Sequence, residues 1–260
     1  MNRLLRAYRC RDLAAARSEL SRWFTQPLGQ AWHTQEQRLL SELLDAYFGY
    51  HLLQVGRPQG EGLCSASRIP HRIVLVDELS PGSLAGESVL LARGEQLPLE
   101  SGSVDVVVLP HTLPFAEQPH TLLREVERVL IPEGRVIILG FNPWSLFGLR
   151  RLLLGWRGQA PWCGHFYSGF RVRDWLSLLG FDSQGQQHYF YRPPLSRHGL
   201  LQRLAFLERW GARLWPILGG GYVLVARKRV TTLTPIRPRW RSRRLINVGP
   251  VEPTARRERS

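Results

Sequence analysis

Two kinds of apolar patterning follow one another along the chain. Up to residue 48 the apolar positions recur at helical spacing: Leu13, Ala16, Leu20 and Trp23, then Leu39/Leu40, Leu43/Leu44 and Tyr47. Positions three and four apart share one helix face, so these stripes predict two amphipathic helices. Pro27 and Gly29 separate them, and residues 1–48 read as a helical cap. From residue 49 the pattern becomes a series of short unbroken runs: Leu52–Val55, Ile73–Val76, Val89–Leu91, Val104–Leu109 (broken only by Asp105) and Arg135–Leu139. Runs without alternation suit strands buried on both faces of a parallel sheet. Between the last two lies a helix with Leu122, Leu123, Val126 and Val129/Leu130 on one face, stopped by Pro132 and Gly134. That strand–helix–strand unit predicts an α/β, Rossmann-like doubly wound, mostly parallel seven-stranded sheet.

After Gly140 the pattern changes again. Asn142–Arg157 is rich in Trp, Phe, Leu and Arg, and a helix over Val172–Leu179 ends at Gly180. Gln184–Tyr191 and Gly221–Val230 read as two further strands, separated by a helical insertion at Leu200–Leu214. The core therefore spans 49–230, with insertions near 142–170 and 193–220.

Composition narrows the class. With 260 residues, 43% hydrophobic and 22% charged, the chain can bury a substantial core and is not a disordered polymer. It has no apolar run near the roughly 20 residues that span a bilayer. The opening Met1-Asn2-Arg3-Leu4-Leu5-Arg6 lacks an apolar signal core, so a cytoplasmic protein is expected. Cys10, Cys64 and Cys163 are odd in number and far apart. They suggest neither a disulfide framework nor a zinc site, and a reducing compartment follows.

Charge adds a question. The formal net charge is +14, from 35 Lys+Arg against 21 Asp+Glu, and Lys228 is the single lysine. Residues 231–260 hold eight Arg and two Glu, a net +6, which leaves +8 for residues 1–230. With four prolines and few apolar residues, 231–260 reads as a basic, disordered tail. Such a tail offers phosphate affinity without sequence preference, yet the chain shows no RNA-binding module. A solvated basic tail is the other reading.

The central block carries a resemblance. Glu95-Gln96-Leu97-Pro98-Leu99, followed by Gly102-Ser103-Val104-Asp105-Val106-Val107-Val108, resembles the middle of a class I S-adenosylmethionine-dependent methyltransferase of the type 11 group. That group includes quinone-biosynthesis methyltransferases. The similarity continues through Leu122-Leu123-Arg124-Glu125-Val126-Glu127-Arg128-Val129-Leu130-Ile131-Pro132-Glu133-Gly134-Arg135. His111-Thr112-Leu113-Pro114 and Gly140-Phe141-Asn142-Pro143 resemble a bacterial, largely uncharacterised subgroup. The resemblance is firm over about 95–140 and extends more weakly from 50 to 230.

The resemblance implies S-adenosyl-L-methionine as cofactor and in-line methyl transfer as the reaction. It assigns cofactor contacts to Gln54, Gly56, Gly60, Asp77, Gly94, Glu95 and His111, with Glu78 as the substitute for Asp77. The cofactor loop departs from the family pattern. Gln54 stands where an acid is usual, Pro58 replaces the middle glycine and Arg93 aligns with an adenine-contacting Asp. Pro58 lacks an N–H and fixes φ. His111 follows the fourth strand, where ligands collect in such sheets. Its ordinary pKa suits a general base, and a structural histidine under the cap is the other reading. No metal is expected.

The Asn142–Tyr167 segment reads as the substrate-facing element. It suits a lid over an apolar substrate, an interfacial helix on anionic lipid or a packed helix. The second insertion has the same ambiguity, and both suit the flanks of one cleft. The methyl acceptor is expected to be a small molecule, and the oligomeric state is not fixed by the sequence. The other use of the same fold is a cofactor-free protein that binds RNA or an anionic membrane surface through the tail and the aromatic insertions.

Overall fold

The computed structural model describes residues 10, 12–58, 63–77, 88–155, 159–195, 199 and 203–229. Gly60, Glu78 and the 231–260 segment, all singled out in the sequence, lie outside them.

Helix α1 (Leu13–Phe24) starts where the Asp12 side chain accepts the Ala14 N–H, which satisfies one of the open donors of a helix start. Helix α2 (Pro27–Asp45) follows after a two-residue turn. Pro27 is the first residue of α2 rather than a separator, since its missing N–H costs nothing there. Gly29 lies inside α2, and a Cβ on it would meet the Trp23 carbonyl oxygen at 2.2 Å. The two helices thus touch through a glycine contact, and Gly29 does not separate them.

Seven strands form one sheet in the order β3-β2-β1-β4-β5-β7-β6. They are β1 (His51–Val55), β2 (His71–Val76), β3 (Ser88–Leu91), β4 (Val104–Pro110), β5 (Leu130–Phe141), β6 (Phe181–Tyr189) and β7 (Gly221–Lys228). Strands β1 to β5 pair in parallel, while β7 runs antiparallel to both β5 and β6. The described residues also form α3 (Pro119–Val129), α4 (Leu146–Leu154), α5 (Gly169–Leu178) and α6 (Leu207–Leu214), with 3-10 turns at Leu113–Phe115 and Leu204–Phe206.

The period-two geometry of the strands divides the core in two. Val106, Val108, Ile137 and Leu139 pack with Leu20, Trp23, Trp32 and Leu40 of the cap helices. Val107, Leu109, Val136 and Ile138 pack on the other face with Leu122, Val126, Val172 and Leu176 of α3 and α5. Burial on both faces is why these strands read as unbroken apolar runs.

The cysteine expectation is corrected. Cys10 and Cys163 form a disulfide across 153 residues of sequence, and Cys64 is free and buried. Chain folding, not spacing, brings the two together, and no local pattern marks the pair. Closing so long a loop restrains the unfolded chain by about 5 kcal/mol on a chain-entropy estimate. Reduction is therefore expected to lower the denaturation midpoint of the oxidised protein markedly and to leave Cys10→Ser unchanged. Equal midpoints with and without reductant would contradict the pairing. Among the described residues no helix is long and apolar enough to cross a membrane, and no group of His, Cys, Asp or Glu is arranged to hold a metal ion.

Candidate active site

A cavity of about 430 Å³ opens at the carboxyl ends of β1, β2 and β4. The strand order reverses here, because β1 lies between β2 and β4, and open α/β sheets collect ligands at such a point. Val55, Gly56, Arg57 and Pro58 line it after β1, Val76 and Asp77 after β2, Gly94 and Glu95 after β3, and His111 and Thr112 after β4. The roof is helix α1, through Ala14, Arg17, Ser18, Leu20 and Ser21.

Local bonds shape the floor. The Gly56 N–H donates to the Leu75 carbonyl at 2.8 Å, and the Thr112 hydroxyl donates to the Val55 carbonyl. Gly56 takes φ +86°, and a Cβ there would lie 3.3 Å from Thr112 Oγ1, so the turn needs glycine. The third-strand loop is held by the helical motif noted in the sequence. Glu125 accepts the Leu97 N–H at 3.0 Å, and Arg128 donates to the Leu97 and Leu99 carbonyls at 2.8 and 2.9 Å. These conspicuous residues secure a turn next to Gly94 and Glu95.

The sequence-nominated residues are not equivalent. Gly56, Asp77, Gly94, Glu95 and His111 all meet on the cavity wall. Gln54 does not: its buried amide turns back and donates to the Gly56 carbonyl at 2.9 Å. Its side chain is thus turned to the loop rather than to the cavity wall. Arg93 is exposed and does not line the cavity either. No described residue of the two insertions lines it.

Two residues outside the sequence nomination complete the site. Arg17 of α1 donates to Asp77 and, at 3.0 Å, to the Phe115 carbonyl. It ties the roof to the end of β2. The ion pair is about one-third exposed on each side, so it adds about 0–1 kcal/mol to stability.

The second is Glu36, fully buried in α2. Its Oε1 accepts from the Trp32 indole N–H at 2.6 Å and from the Tyr189 hydroxyl, and it lies 2.7 Å from His111 Nε2. Burial opposes the charge, but His111, Tyr189 and Trp32 together hold the Glu36 carboxyl below the usual carboxylate range. Burial and the adjacent carboxylate push the Tyr189 hydroxyl well up, so it remains a donor. With Glu36 ionised, the network assigns the His111 proton to Nε2. Its Nδ1 is a buried atom with no hydrogen-bond partner.

The backbone marks the same residue. His111 has φ +51°, a left-handed conformation that a non-glycine residue adopts at a cost of order 1–3 kcal/mol. Its N–H donates to Leu139 at 3.0 Å, and its ring stacks on Phe141 with centroids 4.2 Å apart. Sequence alone offered one sign of Glu36. It follows Trp32 by four residues and precedes Leu40 by four, which puts an acid on the apolar stripe of the cap helix.

Together these features define a doubly wound α/β protein with a ligand-sized cavity at its switch point. Comparison with known proteins makes this specific. The methyltransferase domain family model matches residues 53–138. The chain is 34% identical to the Escherichia coli protein YafS over 212 residues, 82% of each chain. It is 34% identical to the demethylmenaquinone methyltransferase of Chlamydia pneumoniae over 73 residues, 26% of this chain and 31% of that one. A solved S-adenosylmethionine-dependent methyltransferase of Thermotoga maritima, described as a possible histamine N-methyltransferase, shares the fold. That likeness has a TM-score of 0.55 at 17% identity, covering 82% of this chain and 95% of that one. The chain belongs to the class I S-adenosylmethionine-dependent methyltransferase family.

The residues present fit the family's cofactor. The Gly56 turn leaves room that a side chain would narrow, Asp77 presents a carboxylate to the cavity, and the orphaned Nδ1 belongs to a wall residue. A carboxylate accepting hydroxyl hydrogen bonds contributes about 1.5–3 kcal/mol. Asp77→Ala is therefore expected to weaken S-adenosylhomocysteine binding about 10- to 100-fold by calorimetry. An unchanged affinity would remove Asp77 from the ligand site.

Proposed function

We propose that this protein transfers a methyl group from S-adenosylmethionine to a small acceptor, with His111 as the general base and Glu36 as the residue that positions it. S-adenosylmethionine, when bound, supplies a methyl group made electrophilic by its sulfonium. Gly56, Asp77, Gly94 and Glu95 would hold it. One observation carries the assignment of the base: a strained, buried histidine on the cavity wall, locked by an ionised carboxylate with its other nitrogen unpartnered.

The chemistry asked of the protein is modest. Fixing an acceptor in line can supply much of the rate. Removal of the acceptor's proton by a positioned base adds typically 10²–10⁴-fold. Glu36 compensates the positive charge that His111 gains in that step. Nδ1 is covered from solvent, on a residue that lines the cavity together with Arg17 and Ser21 of α1. The wall otherwise offers Leu20, Val55, Phe115 and Ala116, which suits an acceptor with an apolar body and one acidic O–H or N–H.

Methyl-labelled S-adenosylmethionine incubated with the full chain and a small-molecule cell fraction tests this reading. The label is expected in an organic product with wild type and not with His111→Ala, at equal S-adenosylhomocysteine binding. Equal transfer by both proteins would sink the assignment of the base.

A further inference from the structure

We propose that helix α4 and the 204–218 segment form a docking face for an anionic lipid surface. Of the 17 exposed large apolar side chains among the described residues, 12 fall between Trp144 and Leu153 or between Leu195 and Leu218. The two stretches adjoin. Asn142 Nδ2 donates to the Ile217 and Gly219 carbonyls at 2.7 and 2.8 Å. Arg150 donates to the Pro194 carbonyl, and an apolar groove runs from Leu146, Leu149 and Leu153 to Pro193 and Pro194.

Helix α4 is turned inside out for a water-facing helix. Leu146, Leu149, Leu152 and Leu153 are each more than half exposed. Its arginines fold back onto the protein: Arg150 lies over Trp162 at 4.9 Å, and Arg151 lies over Phe166 at 5.3 Å and donates to the Gly164 carbonyl. On the second stretch Phe206, Trp210 and Leu214 recur every four residues and are all exposed, beside the exposed pair Arg209 and Arg213. Helix α6 is anchored beneath by Glu208, which accepts the Tyr191 N–H and pairs with Arg192. Glu208 is the single acid in 193–220, and 142–173 contains none.

An apolar ridge flanked by arginine, with tryptophan at its margin, is how an interfacial helix meets anionic headgroups. A second copy of this chain would set the Arg209 and Arg213 rows against like charge. A nucleic acid would satisfy the arginines and leave the leucine face of α4 in water. The proposal is independent of the methyl-transfer reading.

Flotation of the full chain with phosphatidylcholine vesicles, with and without phosphatidylglycerol, tests it. The protein is expected to float with the anionic vesicles only, less so as salt rises. Leu149→Ser/Leu153→Ser and Trp210→Ser/Leu214→Ser are each expected to cut that partition about tenfold or more with the basic tail intact. All four side chains are exposed, so melting should not change. If an apolar pair melts early, Arg209→Gln/Arg213→Gln must lower the partition instead. Flotation of all the variants like wild type would overturn the proposal. So would no flotation of wild type, or variants that lose only self-association or RNA binding.

Discussion

Replacement of Glu36 by Gln is expected to slow methyl transfer by about 10²–10⁴-fold while S-adenosylhomocysteine affinity stays nearly constant. The side-chain volume and the acceptor oxygen shared by Trp32, Tyr189 and His111 are kept, but the charge that would compensate a positive imidazole is lost. His111→Ala should produce a loss of the same order, and the double variant little more, because the two act as one unit. Additive losses would show that Glu36 serves only to pack. Acid stability provides a separate readout. The folded pKa of Glu36 is depressed, so its contribution is full above the ordinary carboxylate range and fades as pH falls through that range toward the folded value. Denaturation midpoints across that interval should fall more steeply for wild type than for Glu36→Gln; parallel profiles would contradict the buried, ionised carboxylate.

The second large effect concerns Gly56. A valine there would be forced into φ +86° with its Cβ 3.3 Å from Thr112 Oγ1, and its branch would enter the space between the ends of β1 and β4. Gly56→Val is expected to reduce S-adenosylhomocysteine affinity by about 100-fold or more, with a stability loss of about 1–3 kcal/mol from the strained backbone. A variant that stays folded and binds like wild type would place the cofactor elsewhere.

The parts of this fold that the sequence disclosed are those in which local and tertiary demands agree. The runs at Val104–Leu109 and Arg135–Leu139 are apolar because both faces are covered, and burial on both faces leaves that mark in any chain. Gly56, Asp77 and His111 were legible because strand ends place ligand-facing residues at predictable points. What stayed hidden depends on contacts remote in sequence. Glu36 lies between Gln35 and Gln37, like a residue of a solvated face, and its role exists only through His111 and Tyr189. Cys10 finds Cys163 only once the cap has docked. The outward leucines of α4 resemble a packed stripe, because spacing tells which residues share a face and not what covers it.

The charge shows the same limit. The +8 on residues 1–230 includes Arg128, bound to the Leu97 and Leu99 carbonyls, and Arg17, bound to Asp77. These cations are parts of the fold. Arg209 and Arg213 are exposed beside an apolar ridge, and the proposed lipid docking would use their charge.

Calorimetric titration of the full wild-type chain with S-adenosylhomocysteine is the most direct test of the whole account. One site per chain is predicted, lost in Gly56→Val and weakened in Asp77→Ala. The absence of heat and of competition by S-adenosylmethionine at millimolar ligand, in a protein shown to be folded, would contradict the account and leave the chain as a methyltransferase fold without its cofactor.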